Sequence, residues 1–226
     1  MGLSTIDLGS GGSKLKNITP GNYKLKINKL TLEDFTFIKD AKHLVLSLET
    51  EPLDNFEGFF IDYNNQEAGR YLGQIGDVRA SQYAFADGFT KSGIAVNRDK
   101  SLMIFLKNLC DALEISDWFK SQNNLHSTIE DFVDAFNNSA PFKDKYLHFC
   151  VAGKEYTKQN GYTGYVMWLP KSENRQYAYS NNEETVITYD ANKHLTKSKP
   201  QEVEAFGTDL GSLPLPKKPS TDFNLD

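Results

Sequence analysis

Apolar and polar residues alternate strictly from Tyr23 onward: Tyr23, Leu25 and Ile27 are separated by Lys24, Lys26 and Asn28. A period of two predicts a half-buried strand, and the preceding TPGNY supplies the turn that starts it. A turn-like stretch, LEDFTFIKDAK, leads to a second alternating run at Leu44, Leu46 and Leu48. The segment GFFIDY, Gly58 to Tyr63, predicts a third strand. From Asn64 to Lys100 the chain is long, glycine-containing and aromatic without a clear period, which predicts a functional connection. The period then changes. Leu102, Phe105, Leu106, Leu109 and Leu113 recur at the three-and-four spacing of one helical face. A second helix opens with Ser127 as N-cap and Glu130 three residues on, and places Ile129, Phe132, Val133 and Phe136 on one stripe. Beyond Pro141, YLHFCVAGKEY and GYTGYVMWLP read as strands joined through Asn160-Gly161, a strong hairpin signal. ETVITYD, Glu184 to Asp190, reads as a further β segment.

Three strands, a long connection carrying helices, and two or three more strands predict a mainly β protein with two inserted helices. The order suits a small OB-like barrel with an extended connection between its third and fourth strands. Residues 1–17, rich in Gly and Ser, read as a flexible leader, and 18–196 as the OB-like nucleic-acid-binding domain. Residues 197–226 lose periodicity and gain Pro, Ser and Lys, and read as a disordered tail.

Composition adjusts this picture in three places. Of the 226 residues 39% are hydrophobic, with 15 Phe and 11 Tyr, enough large side chains for one core. Cys110 falls in a helical pattern and Cys150 in a strand pattern, as buried thiols in a reducing compartment would. The N-terminus lacks a signal-peptide layout, and no apolar run approaches a membrane span, so the expectation is a cytoplasmic protein without membrane association. A net charge of -5 weighs against nucleic acid, but the charges segregate: Lys14, Lys16, Lys24, Lys26 and Lys29 are basic and close in sequence, whereas acids collect at Glu130–Asp134 and in the tail.

Phosphate-binding glycine loops, GxSxG, HExxH and paired CxxC motifs are all missing from the sequence, and His43, His126, His148 and His194 have no neighbours at metal spacing. The expectation is a protein without catalytic residues, metal or cofactor. A metal-dependent nuclease built from dispersed carboxylates stays open as an alternative. The hairpin from Lys154 to Trp168 is more informative. Lys154, Tyr156, Lys158, Tyr162, Tyr165 and Trp168 bring cations and flat rings around one turn, as stacked bases and bound phosphates require. Barrel filling would use the same rings, above all Trp168 on its apolar strand. Lys24 and Lys26 share the polar face of the first strand, as a phosphate-binding row or a solvated sheet face would. Arg70, Arg79, Tyr83 and Phe85 suit either a clamp over a strand or a cover for the barrel's end. Asp222, Phe223, Leu225 and Asp226 offer an apolar plug with negative flanks to a partner protein, or a competitor for a basic groove.

The PGNYKLKI and GFFIDY strands, the GQIGDVRASQYAF stretch, the LMIFLKNLCDAL helix and the GKEYTKQNGYTGYVMWLP hairpin resemble phage-encoded single-stranded-DNA-binding replication proteins, in particular the group found in large phages of gut bacteria. The resemblance covers roughly residues 18 to 190. It implies an OB fold, no catalysis, and coating of single-stranded DNA in replication or recombination in the host cytoplasm. It also implies contact of an acidic C-terminal tail with replication proteins, although this tail is weakly acidic and ends Leu225-Asp226. A phage structural or assembly protein is the alternative from another class.

Overall fold

The computed structural model describes residues 17–53, 58, 71–90, 92–159, 161–171, 177–182, 185 and 187–197. In chain order these form β1 (Gly21–Asp34), β2 (Lys42–Thr50), β3 (Ile75–Arg79), β4 (Gly88–Phe89), β5 (Ala95–Val96), α1 (Arg98–Ala112), α2 (Ser116–Ser121) and α3 (Ile129–Ser139). There follow β6 (Tyr146–Thr157), β7 (Thr163–Trp168), β8 (Tyr179–Ser180), α4 (Ala191–His194) and β9 (Leu195–Thr196).

β1 is long enough to serve two neighbours. Its first part pairs antiparallel with β6, from Gly21 opposite Val151 to Lys26 opposite Tyr146, and its remainder with β2, from Leu25 opposite Thr50 to Asp34 opposite Lys42. A strand shared this way must bend, and a register shift between Ile27 and Lys29 marks the bulge. β3 pairs antiparallel with β2, β7 antiparallel with β6, and β3 meets β7 in parallel through Val78–Met167 and Arg79–Trp168. The circuit β1-β2-β3-β7-β6-β1 is closed, a five-stranded barrel of the OB type with the helices inserted between its third and fourth strands.

Alternation directs Leu25, Leu30, Leu44, Leu46, Leu48, Val78, Leu147 and Phe149 inward, where each is essentially inaccessible. Burying a side chain of this size contributes about 1.5–3 kcal/mol. The apolar stripes of α1 and α3, including Leu106 and Phe136, join the same core. Asn137 of α3 fastens that layer to the bend of β1: its Oδ1 accepts from Leu30 N (2.9 Å) and its Nδ2 donates to Leu30 O (2.8 Å). The chain just before β1 fills the rest of β3's second edge. Ile18 N donates to Ile75 O, as Leu169 N does to Arg79 O further along the strand. Gly76 leaves room for the buried Ile18, and Gly153 for Pro20.

Three expectations change. GFFIDY lies outside the described residues apart from Gly58, and the third barrel strand is Ile75–Arg79, inside the stretch read as a loop. Among the described residues of 184–190 there is no strand. Ile187 and Tyr189 do pack on the core, but the backbone N–H groups of Tyr189 and Asp190 donate to the side chains of Asn22 and His194 rather than to a ladder. The N-cap of α3 is Thr128, one residue after Ser127, and its capping box closes through Asp131. The tail beyond Lys197 lies outside the described residues, and no described helix is long and apolar enough to cross a membrane.

Candidate nucleic-acid interface

OB barrels receive oligonucleotides on the outer face of their second and third strands, between the loops joining strands one to two and four to five. Here that face is the outside of β2 and β3, continued onto β7 and β6. Turn 35–41 lies at one end and the β6–β7 hairpin at the other. Because β3 and β7 run parallel and meet at Arg79 and Trp168, the beginning of β7 and its hairpin lie at the far end from turn 35–41.

At the hairpin end, Tyr156 sits opposite Gly164, and Lys154 opposite Val166. Gly161 adopts φ +79° in the turn, where Lys158 N donates to Tyr162 O (2.8 Å). Tyr156 and Tyr162 remain 42% and 60% exposed, which leaves ring surface for stacking. Lys154 and Lys158 are exposed and enter no ion pair among the described residues. Tyr165 differs: alternation turns it inward with Met167, and it packs against the core. Trp168 is half-buried on the outer face, in register with Arg79, which is itself in register with Val45.

The middle of the face is acidic. Glu49 is buried, accepts from Asn28 (3.1 Å) and pairs with Lys26 (3.2 Å); Asp77 accepts from Ser47. Lys24 pairs with Glu51 and lies over the ring of Tyr146. The two lysines therefore share a face as their spacing required, but both are occupied by carboxylates of β2 and the residue after it. A phosphate would have to displace those carboxylates.

The turn end is aromatic. Phe35 stacks at a tilt on Phe37 (5.5 Å between centroids) and meets His43 edge-on (5.2 Å). Phe37 is 87% exposed and Ile38 half exposed. Arg98, at the start of α1, donates from Nη1 to Asp40 O (2.7 Å), and its backbone N–H donates to Asp87 Oδ1 (2.7 Å), joining this turn to the β4–β5 hairpin. That hairpin exposes Phe89 and Ile94, and Tyr83 before it is also exposed. Phe85 is not available as a stacking ring: its backbone bridges Lys42 in both directions and its side chain packs on the core. Phe37, Ile38 and Phe89 carry no weight in the sequence reading. The available signal was apolar residues inside the turn-like FTFIKD, where a solvated turn has no use for them.

Three groups at this end are shifted in protonation, and one of them is Arg98, held above its usual range first by its hydrogen bond to Asp99. Hydrogen bonds to Asp34 and Glu130 hold the Lys42 ammonium above its usual range. Burial, and then the charge of Arg79, push the His43 imidazole below its usual value, and its Nε2 has no hydrogen-bond partner among the described residues. Arg70 and the residues Asp222, Phe223, Leu225 and Asp226 lie outside the described residues. No group of three or more His, Cys, Asp or Glu side chains is placed to hold a metal ion among the described residues.

The face can thus take flat, uncharged groups at both ends, a cationic contribution at the hairpin, and little phosphate in its centre. Comparison of the chain with family models, with curated proteins and with solved structures found no match.

Proposed function

We propose that this protein binds single-stranded DNA without sequence preference and coats strands exposed during phage DNA replication or recombination, in the host cytoplasm. The observation that carries the reading is the hairpin of an OB-like barrel on which two exposed rings, Tyr156 and Tyr162, stand with two cations, Lys154 and Lys158, that enter no ion pair among the described residues. Stacking on such rings contributes about 1–3 kcal/mol per base and tolerates any base, because every base has a π-face. The resemblance of the motifs to phage single-strand binders supports the same reading, and extends it to replication proteins as partners of the C-terminal tail.

The acidic centre of the face sharpens the expected salt dependence. With Lys24 and Lys26 occupied, Lys154, Lys158, Arg79 and the exposed Lys29 opposite Ser47 are the phosphate contacts among the described residues of this face. Four contacts predict a slope of about -3 in log K against log salt, since each phosphate neutralised on a single strand contributes roughly -0.7. Fluorescence anisotropy of a labelled oligo-dT over a range of salt concentrations tests this. Binding with that shallow slope, and weaker binding to duplex of equal length, is the expected result. No binding at low salt would sink the reading.

A further inference from the structure

A groove of about 590 Å³ runs along the helical layer, between α1 and the segment from α2 to the start of α3. It belongs to none of the surfaces described above. Its floor is apolar, with Met103 from α1, Phe119 from α2 and Phe132 from α3. Its charged lining groups are Lys107, Lys120 and Asp99, and Asn123 lines it as well. The volume is that of a site for a small molecule or a short peptide anchor, and an apolar floor with a few polar groups at the rim is the usual composition of such sites. Leu125, in the connection that forms one wall, is 67% exposed, so the apolar surface continues past the lip.

The sequence contains a segment with the matching chemistry. Asp222, Phe223, Leu225 and Asp226 put an aromatic and an aliphatic side chain between two carboxylates, which suits an apolar floor with Lys107 and Lys120 among its lining groups. The tether suffices as well. The last strand among the described residues, β9, is fixed in parallel to β6 at Gly153 and Lys154, and about 27 residues separate Thr196 from Phe223. Fully extended, a chain of that length reaches about 90 Å, well beyond the width of a small domain. We propose that residues 222–226 of this chain dock in the α1–α3 groove, Phe223 on the Met103–Phe119–Phe132 floor and the flanking carboxylates at Lys107 and Lys120. The proposal goes beyond single-strand binding and does not rest on it, since the groove is lined by the helical layer and the DNA reading uses the barrel face.

The contacts of the two lysines leave them able to respond. Lys107 pairs with Asp111 and Lys120 with Asp117, at sites more than two-fifths exposed where such pairs contribute little, so a docking carboxylate has to displace a resident one, as a phosphate does at Lys24. Docking is driven mainly by burial of Phe223 and Leu225, with the charges setting orientation.

The test uses the full chain carrying a nitroxide on Thr221→Cys; Cys110 and Cys150 are buried and do not compete for the label. Paramagnetic broadening of amide signals is read with the label oxidised and reduced. The expected result is a loss of more than half the intensity at Lys120, Asn123 and Asn124, reversed when Phe223→Ala and Leu225→Ala are added, and reduced by Lys107→Glu with Lys120→Glu. Broadening spread evenly over the surface, or concentrated at Tyr156–Tyr162, overturns the proposal. So does broadening at the groove that survives the Phe223→Ala, Leu225→Ala pair. The oligo-dT titration is run on the same samples, so that loss of tail docking and loss of DNA binding are read separately.

Discussion

The ring of Tyr156 occupies the space that a side chain on Gly164 would need: a Cβ there would stand 2.6 Å from Tyr156 Cζ and 2.9 Å from Lys158 Cε. Both obstructing groups are the outer ends of side chains on an exposed hairpin, so Gly164→Ala moves them and leaves the barrel intact. The expected result is a thermal midpoint within a few degrees of the parent and oligo-dT binding weaker by about tenfold, the loss of one stacked base. Gly73→Ala is the contrast. Its Cβ would meet backbone oxygens, Thr50 O at 2.4 Å and Glu51 O at 2.9 Å, which cannot swing aside. That variant should lose stability by about 1–3 kcal/mol, seen as a lower denaturation midpoint.

Asn137 completes both backbone hydrogen bonds of Leu30 where β1 bends away from the regular ladder. Asn137→Ala leaves a donor and an acceptor in a part-buried setting without their partner. A cost of about 2–4 kcal/mol follows from the penalty for each orphaned group. Urea denaturation should show a lower midpoint with an unchanged slope, and Asn137→Asp should recover part of the loss through the retained acceptor.

His43 ties stability to pH. Its folded pKa lies below the unfolded value of about 6.5, so the unfolded chain takes up the proton first. The stability it contributes is complete above the unfolded pKa and is lost as pH falls below about 6.5 toward the folded pKa. His194 is shifted in the same direction by burial, so the informative quantity is a difference between two chains. Thermal midpoints of the parent and His43→Leu should converge or cross between pH 7 and 5, the variant having the flatter profile. Parallel profiles would show that His43 does not titrate in this window.

Burial raises the Cys110 thiol to about 12 and the Cys150 thiol to about 11. Neither forms thiolate at neutral pH, and both are enclosed by the core. Ellman's reagent should find less than one reactive thiol per native chain over minutes, and two at once after addition of guanidinium. Fast native labelling would mean that the packing of α1 against Tyr177 and Tyr179 opens on that timescale.

The parts of this fold legible in the sequence are those where one side chain in two faces the core. β1, β2, β6 and β7 announce themselves that way, and α1 and α3 by their apolar stripes. β3 escaped because Ile75, Gly76, Asp77, Val78 and Arg79 contain one large inward side chain, Val78, and the position of Gly76 is filled by Ile18 from elsewhere in the chain. The cap of α3 was ambiguous because Ser127–Glu130 and Thr128–Asp131 are two overlapping capping boxes, and the backbone closes the second. In the candidate site, alternation placed Lys24 and Lys26 correctly on one face. Their neutralisation by Glu51 and Glu49 depends on the register between β1 and β2, which no local pattern encodes. Phe85 and Tyr165 were indistinguishable by composition from Tyr83 and Tyr162, yet the fold buries the first two against the core and exposes the others.

The short parallel contact between β3 and β7 makes the barrel unequal around its circumference. Every other junction in the circuit is an antiparallel ladder of at least five residue pairs, whereas this one has two, supplemented by the hydrogen bonds of Ile18 N to Ile75 O and of Leu169 N to Arg79 O. Deuterium should therefore enter first at the amides of Ile18 and Leu169, ahead of those in β1 and β2. A cylinder with one weak stave can widen there without losing its helical layer. A single strand bound as proposed would then meet a surface whose width is adjustable along one line, which suits a ligand whose bases differ in size from one nucleotide to the next.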